Sequence, residues 1–157
     1  MMKMKVPKQR TYTRELEEEA VRLHGHGGPF MVVGLRMGLQ ALNILDARGW
    51  FDINCRVELR WAPPDACVLD GIQVSTGCTL GKRNIEVEEK KGVSATFTHG
   101  GKGVTLRVKR NVLAKINGSI AEHGHDEENP DHAAETRRLM DELIAMPASE
   151  FFEVSLK

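Results

Sequence analysis

The longest apolar stretch of the chain opens at Pro29, runs to about residue 47, and is punctuated by glycine. The proline stands where a first-turn proline belongs, since the N–H it lacks is one that a helix start leaves unpaired. Gly34, Gly38 and Ala41 then fall at i, i+4 and i+7, so one side of the helix is a strip almost without side chains. Such a strip lets another backbone approach closely. Arg36, Gln40 and Asn43 interrupt the stretch too often for it to span a membrane. The fold must therefore bury one central helix, backbone against backbone. The 157 residues, 41% of them hydrophobic, form one globular domain with a single core. Only 5% are aromatic, so that core is aliphatic and rich in methionine.

The remaining elements follow from caps and periods. Residues 1–12 read as a basic tail, an arm suited to pack on a partner, and residues 13–157 as the core domain. Thr13 is placed to N-cap a helix whose first turns carry Glu15, Glu17, Glu18 and Glu19, where acids meet the positive end of the helix dipole. Leu16, Ala20 and Leu23 give it one apolar face, and Gly25, Gly27 and Gly28 end it. Alternation predicts a strand over 56–61, which Pro63 and Pro64 stop. A short helix runs through Thr76 with Gly77 as its stop. Strands are expected over 85–89, 93–99 and 104–109, with hairpin turns at Lys90-Lys91-Gly92 and at 100–103. Helices follow over 111–122 and from Asn129 as N-cap and Pro130 to before Pro147, then a strand over 151–156. The order predicts an α+β fold: helices packed on a mainly antiparallel mixed sheet, in one domain.

Charge and cysteine usage narrow the function classes. Lys plus Arg equals Asp plus Glu at 22 each, and no basic stripe interleaves with aromatics, so a dedicated nucleic-acid binder is not expected. The basic start is followed by no apolar run, so no secretory signal is read there. Three cysteines, an odd number, are expected as reduced thiols in a cytoplasmic protein that makes no membrane contact.

Two segments carry the chemistry. In His24-Gly25-His26 the imidazoles, two residues apart, would face one cavity in an extended backbone, and the loop precedes the N-terminus of the central helix. Cys67 stands at the start of the third helix, where the dipole is expected to lower a thiol pKa, and Cys78 lies in the turn past its end. Two imidazoles and two thiolates suit a tetrahedral divalent ion, zinc above all, so His24, His26, Cys67 and Cys78 are the expected ligands. Asp70 and Gln73 share a helix face and would orient a ligand or move a proton. The run Gly77-Cys78-Thr79-Leu80-Gly81-Lys82 is not a phosphate loop: it is one residue short, Arg83 replaces the magnesium-binding hydroxyl, and helix precedes strand. Gln73, Gly77, Gly81, Lys82 and Asn84 remain candidates for holding a cofactor or an anion. Cys55 reads as structural, and His123-Gly124-His125 with Asp126 and His132 as a solvated loop.

The motifs His24-Gly25-His26-x-x-Pro29 and Asp65-Ala66-Cys67-x-x-Asp70-Gly71-Ile72-Gln73-x-x-Thr76-Gly77-Cys78-Thr79-x-Gly81-Lys82-x-Asn84 resemble the FmdE-like family of formylmethanofuran dehydrogenase proteins. The resemblance runs from about Leu16 to near Lys109 and returns at Met146-Pro147-Ala148-Ser149-Glu150-Phe151-Phe152. It implies an α+β core domain, a homodimer, a His/Cys pocket for a metal, and a link to molybdenum or tungsten formylmethanofuran dehydrogenase. Two departures stand out. Gly28 replaces a cysteine that usually precedes the loop proline, and no cysteine follows Cys78 to build the C-terminal zinc finger of some members. The resulting expectation is a metal-binding accessory protein of a molybdenum or tungsten redox enzyme. The alternatives are an enzyme acting on a small carbonyl or acyl substrate, with Cys67 or a metal-bound water as nucleophile, Asp70 moving the proton and Lys82 holding an anion, and a protein that binds a pterin or haem.

Overall fold

In the computed structural model, residues 10–123 and 130–157 are described. Local signals account for most helix ends. Helix α1 (Arg14–His24) starts where the Thr13 hydroxyl accepts the Leu16 N–H at 3.1 Å, and it ends at Gly25, whose φ of 101° only glycine adopts readily. Helix α2 (Pro29–Leu45) stops slightly short of the expected residue 47, because Asp46 turns left-handed at φ 51°. Strand β1 (Asn54–Leu59) lies two residues earlier than its alternation predicts. Then come α3 (Cys67–Thr76), β2 (Ile85–Glu89), β3 (Ser94–His99), β4 (Lys102–Val108), α4 (Arg110–His123), α5 (Ala133–Ala145), the single turn α6 (Ala148–Phe151) and β5 (Phe152–Leu156). Pro130 occupies a turn and α5 opens three residues later, with His132 at its N-cap; Asn129 lies outside the described residues.

The strands form one mixed sheet in the order β2-β1-β3-β4-β5, antiparallel except for β1 and β2, so the domain is α+β. Lys90-Lys91-Gly92 is therefore not a hairpin. The chain leaves β1, passes through α3 and returns as β2 parallel to β1, a crossover that needs a helix to make the turn-around. The connection from β2 must then step over β1 to reach β3. The second expected turn holds: His99 pairs with Lys102, and Gly100 and Gly101 take φ of 54° and 82° in a two-residue loop.

Helix α2 is the buried centre, and its glycine strip meets α3. A Cβ on Gly34 would lie 2.0 Å from the Val68 carbonyl oxygen, and one on Gly71 would lie 2.2 Å from that of Met31. Two glycines thus face each other where the helix backbones touch. Arg36, which breaks the apolar stretch, closes the end of α5: its guanidinium donates to the carbonyls of Leu143, Ile144 and Met146 at 2.6, 3.0 and 2.7 Å. The backbone contact fixes α3, and α3 carries the residues of the site. Among the described residues no helix is long and apolar enough to cross a membrane.

Candidate functional site

The first turn of α3 and the last residue of α1 meet. Cys67 and Asp70, three apart on a helix, point to one side. The Asp70 carboxylate receives Nδ1 of His24 at 2.6 Å through Oδ2, while its Oδ1 accepts Nε2 of Gln73 at 3.4 Å. With the proton of the imidazole on Nδ1, facing the carboxylate, the lone pair of His24 is on Nε2. That nitrogen is buried and has no hydrogen-bond partner, on a side chain only 10% exposed. The left-handed Gly25 reverses the chain and brings the rings of His24 and His26 together, centroids 4.5 Å apart and tilted at 59°. Cys67 is buried, and burial together with the nearby Asp70 charge pushes its thiol up to about 11. The helix dipole expected to lower that pKa is outweighed by desolvation. In the absence of a cation, Cys67 is a thiol at neutral pH.

The other end of α3 is built differently. Gly77 ends the helix at φ 80°, with Trp50 packed where its Cβ would be. Cys78 is fully buried, its sulfur 3.5 Å from the Ile53 carbonyl oxygen and its N–H donating to the Thr76 hydroxyl at 3.0 Å. Cys55 lies against it, and the interaction between the two thiols holds Cys78 below the usual thiol range and Cys55 far above it. The positive charge of Lys82 acts on Cys78 in the same direction. The Asn84 amide is fully engaged, accepting the Thr79 N–H at 2.8 Å and donating to the carbonyls of Trp50 and Ile53 at 2.7 and 3.1 Å.

The structure therefore divides the expected ligand set. Cys67 opens α3 and Cys78 lies two residues past its end, and the ten-residue helix alone is about 15 Å long at 1.5 Å per residue. One ion cannot take both. His24, His26, Asp70 and Cys67 share the N-terminal end, although no three of their donor atoms lie within 4.8 Å of one another. The expected trio of Cys67, Asp70 and Lys82 is split in the same way, because Lys82 belongs to the far end, its ammonium 5.5 Å from the ring centroid of Phe51. Of the expected cofactor residues, Gln73 braces Asp70, Gly77 is the helix stop, Asn84 clamps backbone, and Gly81 lies in an open turn. The partner of Cys55 was invisible in the sequence, since only the sheet brings residue 55 beside the turn at 78.

The sequence matches the FmdE family, described as "Molybdenum formylmethanofuran dehydrogenase operon", over residues 23–153. The chain belongs to the FmdE family. The matched region contains both ends of α3 and the His24–His26 loop. A tungsten formylmethanofuran dehydrogenase FmdE-like protein from Syntrophus aciditrophicus has the same fold, with a TM-score of 0.66 over 98% of this chain and 77% of that one at 16% identity. A protein of Archaeoglobus fulgidus named "Probable S-adenosyl-L-methionine-binding protein" is 39% identical over 72 residues, 42% of this chain. The FmdE-family chain spans only 18% of that relative.

Proposed function

We propose that this FmdE-family protein binds one divalent metal ion at the N-terminal end of α3 and serves as an accessory protein to a formylmethanofuran dehydrogenase-type molybdenum or tungsten enzyme. The carrying observation is the orphaned Nε2 of His24. A buried polar nitrogen without a partner costs about 1–3 kcal/mol, and here the opposite nitrogen is fixed by a carboxylate, the arrangement that orients metal-bound histidines. The donor set fits a borderline ion such as zinc: His24 and Cys67 would hold it, with His26 brought in by the glycine-rich loop, and Asp70 would orient His24 from behind. Binding would displace the Cys67 proton, and bound zinc would supply Lewis acidity. Family membership supports the link to the molybdenum or tungsten enzyme, the family resemblance supports a homodimer, and three free cysteines support a reducing cytoplasm.

The test is metal analysis of protein purified without oxygen, followed by Zn2+ titration of the metal-free chain. A His24→Ala chain should lose one equivalent or at least tenfold in affinity. Binding that is unchanged in both His24→Ala and Cys67→Ser would overturn the reading.

A second reading, an organic-ligand pocket, is favoured by the name of the Archaeoglobus fulgidus relative. Equilibrium dialysis against S-adenosylmethionine checks it: retention by the metal-free chain would favour a cofactor role over an ion, and no retention would remove it.

A further inference from the structure

Outside α3, the corner between α4 and α5 gathers another set of ligands. His123 is the last residue of α4, His132 caps α5, and Glu135 lies in the first turn of α5. The two histidines share a hydrogen bond between their Nδ1 atoms at 3.0 Å, whose proton a bound ion would replace, and their ring centroids are 5.0 Å apart. One nitrogen from each ring and a carboxylate oxygen of Glu135 all lie within 4.8 Å of one another, on half-buried side chains. Among the described residues, this is the group of three such donors that meets that closely.

We propose that this corner is a second divalent-metal site, taking a borderline transition ion such as Zn2+ through His123, His132 and Glu135 and completing its shell with water. The spacing fits. Two nitrogens 3.0 Å apart, each at a zinc–nitrogen bond length of about 2.0–2.1 Å, subtend roughly 95° at the ion, an angle that adjacent ligands can take. Two imidazoles and one carboxylate select transition ions over calcium or magnesium, which take oxygen. His132 and Glu135 lie three apart and so face one side of α5. The His132 side chain makes no capping hydrogen bond, so the helix start does not occupy the ring. The outer nitrogen of His123 lies 3.7 Å from the exposed carboxylate of Glu122, whose charge favours a cation at this corner. The carbonyl end of α4 favours a cation here, and the charge of Glu135 counters the opposing end of α5.

The experiment is calorimetric titration of the untagged, metal-free full chain with Zn2+ alone, in wild type, His132→Ala, Glu135→Gln and His24→Ala. His132→Ala should lose one equivalent, or weaken one by at least tenfold, and Glu135→Gln should weaken the same one. His24→Ala should keep it. Co2+ separates the two sites further: a thiolate charge-transfer band should survive in His132→Ala and vanish in Cys67→Ala. The corner site is overturned if His132→Ala and Glu135→Gln bind Zn2+ with wild-type stoichiometry and affinity. It stands, and the α3 reading falls, if wild type binds a single ion that only the corner variants lose.

Discussion

Each end of α3 gathers a cysteine among polar side chains, and the two ends use them oppositely. At the C-terminal end a cysteine, a threonine, an asparagine and a second cysteine satisfy one another and the neighbouring backbone; Asn84 alone makes three hydrogen bonds. At the N-terminal end an acid, two imidazoles and a cysteine gather and leave one buried nitrogen without a partner. A polar cluster that closes on itself stabilises a fold, whereas one with an open valence is ready to bind. A buried cysteine stands at both ends, and hydrogen-bond saturation separates them.

The largest effect should come from the contact that supports both ends. Gly34→Ala drives a methyl into the Val68 carbonyl, and helix backbones move less easily than side chains. We expect a loss of about 3 kcal/mol in urea unfolding, with Zn2+ binding impaired as well. Separating the ends comes next. Asn84→Ala should cost about 2 kcal/mol by leaving buried groups unpaired while the Zn2+ affinity of the α3 site stays at its wild-type value. A matching fall in that affinity would show that the ends are not independent.

Asp70→Asn is the converse. It should weaken Zn2+ at the α3 site by about tenfold and change stability by less than about 1 kcal/mol, measured by calorimetry and unfolding on the same preparation. The last effect is in pH. Folding raises the Cys67 thiol from an ordinary 9.0 to about 11, so the native state holds this proton more tightly than the unfolded chain. Its contribution is full below pH 9 and disappears as pH rises to about 11. Stability of the metal-free chain should fall more steeply across that window in wild type than in Cys67→Ala; parallel curves would place Cys67 in water.

Signals carried within a few residues were legible. Thr13, Gly25, Pro29 and Gly77 mark helix ends as their chemistry requires, and the strip at Gly34 and Gly38 announces the helix that lies against it. Pairing was less legible. Lys90-Lys91-Gly92 has the composition of a hairpin turn, yet β1 takes both neighbours and β2 and β3 never meet. In the site, His24 and Asp70 were each visible as candidates, but not as a pair, because 46 residues separate them. The division of the two cysteines was legible in principle: a helix that starts at Cys67 and stops before Cys78 already places them too far apart for one ion.

By itself, the sequence determined several helix limits, the α+β class and the close approach of another backbone to α2, because caps, periods and missing side chains act over a turn or two of chain. Tertiary structure alone decided which polar groups found partners. It joined Cys78 to Cys55, set Arg36 on the end of α5, and left Nε2 of His24 alone. Hydrogen-bond saturation depends on neighbours brought from distant parts of the chain, and packing chooses those neighbours only once the core has formed.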